Sequence, residues 1–390
     1  MKNYYYILKE YKHIILGFAH ANTLGIIRSM GKEGIKPIVI GIKDKTKNRA
    51  YYKSRYIGLL HLVNSYEEGL NYIKSNFTEN HKNFLYLMSD AGINLCDRKY
   101  EELKEHFYFF NAGSANILSK YMDKGFLCEQ ARKCNLPVPN FEIVKRGNLP
   151  RTLSYPVFIK SRNPFCEWKE DMAICKSEEE LLKAQGAFVA DEWLIQDYIQ
   201  KKTEVSIQGI SVNGGKQVYM PYIKKYARLR DTDYGTYMYY EINDLSESLQ
   251  QKICKYLQLV NFSGCFEIEF LQDNNDNLYF LEINFRFSGS NQGMYYGGVN
   301  LPLEWAIAEI KGEMSENIKL RNERYYVMNE YLDIKNVLSG KMSLAKFLKD
   351  FSNSYKYIYD NKDLKPILYS VIFSFKPLFS KILNKTLSVK

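Results

Sequence analysis

Residues 265–272 and 278–286 are two runs in which polar and apolar side chains alternate, and every residue between them, Asp273-Asn274-Asn275-Asp276-Asn277, is Asn or Asp. Such a cluster favours tight turns, so the runs should pair as an antiparallel hairpin. Side chains alternate across a strand, which puts Glu267 and Glu269 on one face of the first strand and Glu282, Asn284 and Arg286 on one face of the second. Pairing through the turn brings Glu269 opposite Glu282. Facing carboxylates repel unless a cation sits between them. Carboxylate and amide oxygens, with nucleotide phosphates, make a ligand set for a hard cation such as Mg²⁺. Arg286 is suited to grip a phosphate or carboxylate with both arms of its guanidinium. The competing reading is the solvated face of an amphipathic hairpin. Against it stands the enclosure of these groups among Phe280, Leu281, Ile283, Phe285 and Phe287.

The remaining chain frames this hairpin. Residues 13–18 read as a strand, 17–25 as a small-residue turn, 24–32 as a helix and 36–42 as a second strand. This βαβ opening predicts a parallel sheet. Further strands are expected at 84–88, ending in Ser89-Asp90, and at 107–110, closing a first domain near residue 115. The first turn lacks G-x-G-x-x-G spacing. It reads as a tight turn beneath a packed helix, or as a pocket wall lined by residues 19–23 at the strand ends. A helix over 116–135 stops at Leu136-Pro137-Val138-Pro139. Strands follow at 141–144 and 156–160, a helix at 178–185, strands at 193–198 and 204–212, and a helix at 246–259. Lys224, Lys225, Arg228 and Arg230 form a basic segment ahead of a flexible-looking stretch at 231–236. Positioning and electrostatics dominate phosphoryl transfer, so Arg228 and Arg230, with Lys225, are candidates to neutralise a transferring phosphate. The alternative is a solvated charged face. None of His13, His20, His61, His81 and His106 falls in a triad or metal pattern; His20, in the first turn, is singled out by its position.

Composition narrows the class of partner. With 54 Lys and Arg against 44 Asp and Glu in 390 residues, the net charge of +10 favours an anionic partner. No basic–aromatic module marks a specific nucleic-acid reader. The scattered cysteines, without a CxxC pair, suit a reducing cytoplasm rather than disulfides or zinc. Residues 1–12 lack the apolar core of a signal peptide, and no run reaches the roughly 18–20 apolar residues of a membrane span. A cytoplasmic location is expected. Residues 365–390 carry lysines but no acids among bulky apolar residues, with Pro377 interrupting any helix. They read either as a helix packed on the body or as a peripheral contact with the inner face of the membrane.

Phe266-Glu267-Ile268-Glu269-Phe270, followed by Phe280-Leu281-Glu282-Ile283-Asn284-Phe285-Arg286, resembles the metal-binding signature of the ATP-grasp superfamily. The resemblance implies Glu269, Glu282 and Asn284 as ligands of Mg²⁺ (or Mn²⁺) and Arg286 as a contact to phosphate or acyl-phosphate. Gly289-Ser290-Asn291 and Gly297-Gly298-Val299-Asn300-Leu301-Pro302 resemble the branch containing D-aspartate ligase and polysaccharide-cluster carboxylate–amine ligases. Lys124 and the proline breaker resemble the entry to the family's lid. Tyr155 to Lys160 resembles the strand whose lysine sits on the ATP phosphates, a role for a compact point charge. Gln196, Asp197, Tyr198 and Ile199 resemble the adenine hinge, and Glu204 the ribose-binding acid. The likeness covers roughly residues 13–310. It departs at 161–169, which lacks the usual glycines and would rely on Lys169 or Arg162, and at Phe285, where proline is usual.

What the resemblance implies is an α/β (α+β) chain with the ATP-grasp fold. A parallel-sheet domain spans 1–115, and an ATP-grasp domain spans 116–312, with a lid at about 138–198 and an antiparallel catalytic sheet. A helical extension with a basic amphipathic tail spans 313–390. The implied activity is ATP-dependent joining of a small-molecule carboxylate to an amine through an acyl-phosphate, releasing ADP and phosphate, in cell-surface polysaccharide or envelope assembly. The alternative is an ATP-binding regulatory or scaffolding protein without turnover.

Overall fold

The computed structural model describes residues 4–43, 49–162, 171–228, 236–316 and 318–373. Strands β1 (His13–Phe18), β2 (Ile38–Ile42), β3 (Leu59–Val63), β4 (Asn83–Leu87) and β5 (Phe107–Tyr108) form a parallel sheet in the order β3-β2-β1-β4-β5. The order reverses at β1, which opens a crevice beyond the carboxyl ends of β1 and β4. Helices Ala21–Lys32 and Asp90–Arg98 start at that crevice, capped by the side chains of His20 and Ser89. Strand β3 escaped the sequence reading because its Leu59 and Leu60 are exposed at the sheet edge, so the segment shows no buried alternation.

Strands β6 (Phe141–Lys145), β7 (Val157–Ser161), β8 (Met172–Cys175) and β9 (Glu192–Asp197) form a small antiparallel sheet in the order β6-β9-β7-β8. It has its own core, built on Val157, Ile159, Leu181, Trp193 and Ile195. The helix expected over 116–135 is two helices, Ile117–Tyr121 and Lys124–Lys133. Asp123 breaks the run and caps the second through the Phe126 amide.

Strands β10 (Lys201–Val212), β11 (Gln217–Arg228), β12 (Tyr237–Ile242), β13 (Gly264–Asp273), β14 (Leu278–Asn284), β15 (Tyr325–Met328) and β16 (Tyr355–Lys356) form a third sheet, ordered β14-β13-β10-β11-β12-β15-β16. Two sequence expectations change here. Lys224, Lys225 and Arg228 lie on β11, a central strand, rather than in a basic loop. The extension expected to be helical also supplies β15 and β16. Tyr325, Val327 and Met328 of β15 are buried, and the strand covers an edge that β12 would otherwise expose. Helices Glu330–Leu338 and Leu344–Ser352 and a helix over 365–373 complete this segment.

One core runs from the parallel sheet into the third sheet. Trp305, from helix Leu301–Lys311, packs edge-on against Phe84, Tyr86 and Phe110. The C-terminal segment is fixed to helix Ala21–Lys32 by Arg28. That side chain is fully buried, 3.0 Å from Asp363, and also donates to the carbonyls of Tyr357, Ile358 and Asp363. Removing one partner of such a pair leaves an uncompensated buried charge. Arg28→Leu is therefore expected to cost about 3–5 kcal/mol, read as a lower urea midpoint. Arg28→Leu combined with Asp363→Leu should recover part of the loss, and an unchanged single-variant midpoint would contradict the anchoring role.

Candidate active site

The β13–β14 hairpin forms because Asp273 holds the turn. Its carboxylate accepts the Asn275 and Asn277 amides at 2.9 Å each. Register places Glu267 opposite Asn284 and Glu269 opposite Glu282. It then shifts, so that Phe270 faces Phe280. This bulge reverses the side-chain parity of β14. Phe280 and Ile283, three residues apart, both reach the core, while Glu282 and Asn284 share the polar face. The Asn284 amide nitrogen lies 3.5 Å from a Glu269 oxygen and 3.4 Å from a Glu282 oxygen, so the three side chains converge.

Two ion pairs border this group. Strand β10 lies between β11 and β13, and its Ser206 faces both Lys224 and Glu269. Lys224 reaches across to donate to Glu267 at 2.9 Å and to Ser290 at 2.9 Å, and both charged groups are buried. Burial alone would raise the Glu267 carboxyl; the Lys224 ammonium and the Ser206 hydroxyl outweigh it and hold the group below the usual range. On the other side Arg286 clamps Asp90 with two hydrogen bonds, at 2.7 and 3.1 Å, and donates to the Asn284 carbonyl oxygen at 3.1 Å. Each pair is internally neutral. Among the described residues, Glu269 and Glu282 are two facing carboxylates with no ion-pair partner. Burial, followed by the charges of Glu267 and Glu282, pushes the Glu269 carboxyl well above its ordinary value. Two facing carboxylates converging with a carboxamide side chain suit a divalent ion with hard oxygen ligands.

Among the described residues no group of three or more His, Cys, Asp or Glu side chains forms a metal cage. Mg²⁺ commonly takes one or two protein carboxylates and completes its shell with water and phosphate oxygens. Glu269, Glu282 and Asn284 fit that pattern.

Cations on β7 and on helix Lys124–Lys133 act together on the buried Cys128. Lys160 on β7 is 6% exposed. The buried Cys128 thiol is raised by burial, lowered by Lys160, Arg132 and Lys124, and raised again by Glu282, so these charges surround one helix turn. In the hinge, Gln196 is buried on β9 opposite Phe141 and Phe158. Asp197 exchanges two 2.9 Å hydrogen bonds with Asn140, and the Tyr198 amide donates to Pro156 at 3.3 Å. Ile199 follows, half-buried. Glu204, on β10, forms an ion pair with Lys201.

Other expected residues are committed elsewhere. Lys225 pairs with Glu241 at 2.8 Å. Arg228 pairs with Asp333, and with Asp350 at 2.7 Å. Arg162 bridges Asp123 and Glu192 at 2.7 and 2.8 Å. Arg230 and Lys169 lie outside the described residues. Lys224, rather than Lys225 or Arg228, is the β11 cation joined to the carboxylate cluster. Strand alternation separates neighbours 224 and 225, and that was the available signal. Asp90 and Ser206 also escaped the sequence reading. The crevice of the parallel sheet meets the hairpin through Asn22, which donates to the Met88 carbonyl at 3.0 Å and to the Phe287 carbonyl at 3.5 Å. Asn291 in turn donates to the Asn22 carbonyl at 3.1 Å. Gly25 makes that approach possible, since a Cβ there would lie 2.6 Å from the Asn291 oxygen.

No family model matches the chain. A curated relative, N5-carboxyaminoimidazole ribonucleotide synthase of Staphylococcus aureus (strain MRSA252), is 27% identical over 132 residues, 34% of each chain. The chain thus spans about a third of the length of the curated relatives it matches. The Staphylococcus aureus N5-carboxyaminoimidazole synthetase complexed with ADP superposes with a TM-score of 0.63 at 18% identity, covering 85% of this chain and 86% of that one. The L-amino acid ligase of Bacillus licheniformis gives 0.61 at 14% identity, covering 83% and 84%. These likenesses establish the fold, which is the ATP-grasp fold.

Glu269→Gln removes one of the two facing charges. A carboxyl raised in the folded state stabilises the fold while protonated, and loses that contribution as pH climbs from the ordinary Glu value of about 4.3 toward its folded value. Without divalent cation the variant should therefore melt higher than the parent at neutral pH, with the gain shrinking on acidification, and it should lose Mn²⁺ binding. Melting curves between pH ~5 and ~8 with and without Mn²⁺ check both effects. A variant that melts lower at neutral pH without cation contradicts the repulsion.

Proposed function

We propose that the chain is an ATP-dependent carboxylate–amine ligase. The observation that carries the reading is the facing pair Glu269 and Glu282 with Asn284, beside a Glu267 paired to Lys224 and an Arg286 paired to Asp90. Glu269, Glu282 and Asn284 would hold Mg²⁺, which when bound neutralises phosphate oxygens of ATP. Lys160, from β7, and Lys124, from helix Lys124–Lys133, would supply positive charge to the ATP phosphates. Residues 196–199 and Glu204 would bind adenine and ribose where the lid joins the third sheet.

The crevice at the ends of β1 and β4, closed by Asn22 and Asn291, is the natural seat for the acid substrate, next to Arg286. A substrate carboxylate oxygen attacks the γ-phosphorus, and ADP leaves. An amine then attacks the acyl carbon of the mixed anhydride, loses a proton, and releases phosphate as the amide forms. Catalysis of this kind asks the protein for positioning and charge rather than a nucleophile. The structural neighbours, a carboxyaminoimidazole synthetase and an amino acid ligase, support this class of reaction. A role in cell-surface polysaccharide or envelope assembly, in the cytoplasm where ATP is abundant, is the finer form of the proposal. It is supported by the resemblance of residues 289–302 to that ligase branch.

The test is ADP release from Mg²⁺-ATP against a panel of amino acids and uronic acids. Turnover should require one acid and one amine. Glu282→Gln should lose roughly 10²-fold or more in kcat, and Lys160→Met should raise KM for ATP. ATP binding without substrate-dependent ADP across the panel would favour the regulatory alternative.

A further inference from the structure

The C-terminal segment sorts its charges by sign. Residues 330–373 contain five acids, and every one is turned inward. Glu330 is 2% exposed and accepts the amides of Tyr357, Ile358 and Tyr359. Asp333 and Asp350 hold Arg228. Asp360 pairs with Lys32 at 2.7 Å, and Asp363 with Arg28 at 3.0 Å. Six of the seven lysines, Lys335, Lys341, Lys346, Lys349, Lys362 and Lys365, are exposed, and Lys356 is half-buried. The outward charge of this segment is therefore lysine alone.

The same surface is apolar to an unusual degree. Among the described residues, 12 of the 21 exposed large hydrophobic side chains fall between Ile334 and Phe373. Helix Leu344–Ser352 carries Leu344, Phe347, Leu348 and Phe351 at i, i+3, i+4 and i+7, an amphipathic stripe of the kind that ordinarily faces a core. Here none of its residues is buried. Leu344 is 59% exposed and Leu348 is 56% exposed. Phe351 continues the stripe to Tyr359, with ring centroids 6.0 Å apart. Beyond Tyr359 the helix over 365–373 exposes Leu368, Val371, Ile372 and Phe373. An apolar stripe whose leucines are left exposed beside Lys346 and Lys349 has the chemistry of an interfacial helix on acidic lipid. The sequence then adds four further lysines and no acid over 374–390. No helix among the described residues is long and apolar enough to cross a membrane, so the contact would lie in the interface.

We propose that the outward face of residues 330–373 docks on an anionic lipid surface, with Leu344 and Leu348 inserted and Lys346 and Lys349 against the headgroups. The inference goes beyond the ligase reading and does not depend on it.

The experiment is co-sedimentation of the full chain with phosphatidylcholine vesicles, and with vesicles of phosphatidylcholine and phosphatidylglycerol, at two salt concentrations. Binding should require the anionic lipid and weaken with salt. Leu344→Ser with Leu348→Ser should lower the partition coefficient by roughly tenfold or more. Lys346→Glu with Lys349→Glu should abolish the preference for anionic vesicles. Both residue pairs are exposed, so melting temperature should be unchanged, as should any ADP release in lipid-free solution. Equal binding to neutral vesicles overturns the proposal, as does binding undiminished by the leucine substitutions. So does a dimer in sedimentation equilibrium that those substitutions dissolve, which would assign the stripe to a second copy.

Discussion

Two carboxylates held face to face on neighbouring strands are an unstable arrangement by themselves, and much of the structure is organised around it. Glu269 and Glu282 are fixed by ladder register and by a bulge that turns Phe280 and Ile283 inward while the acids stay on the other face. The ladder cannot relax without losing its core contacts. Neighbouring charges are instead cancelled in pairs, Glu267 by Lys224 and Arg286 by Asp90, so that the residual negative charge is concentrated at one point. That concentration separates this hairpin from a merely solvated one.

The pairs do more than balance charge. Asp90 begins the helix that follows β4 of the parallel sheet, and Arg286 follows β14 of the third sheet. Their bidentate contact therefore ties the crevice of one sheet to the carboxylates of the other. Asn22 and Asn291 repeat the connection through buried amides, where an unmade hydrogen bond would be costly. Trp305 supplies the apolar part of the same junction. The crevice and the facing carboxylates are thereby held in one frame.

The C-terminal segment follows a different logic. It covers the edge of the third sheet with β15 and, over residues 330–373, turns its acids inward, onto Arg28 and Arg228 foremost. Those anchors fix the segment through buried contacts, which leaves Leu344 and Leu348 of helix Leu344–Ser352 exposed. Fold stability and surface chemistry are thus carried by opposite faces of the same few helices.

Local chemistry was legible in the sequence. The Asn/Asp turn, the alternation along both hairpin strands and the opposition of Glu269 to Glu282 depend on residues close together in the chain, and the register agrees with them. Strand β1 and the lysine-bearing β7 were visible for the same reason, as short buried runs bounded by turn residues. Choosing among Lys224, Lys225 and Arg228 depended on strand order. Only with β10 lying between β11 and β13 does Lys224 reach Glu267 while Lys225 turns to Glu241 and Arg228 to Asp333. Asp90 lies 196 residues from Arg286, and no periodicity could join them. The sequence by itself determined which side chains each strand offers to each face, because that is set by backbone geometry. Tertiary structure decided which charges cancel, because a buried charge is compensated by whatever the fold brings beside it.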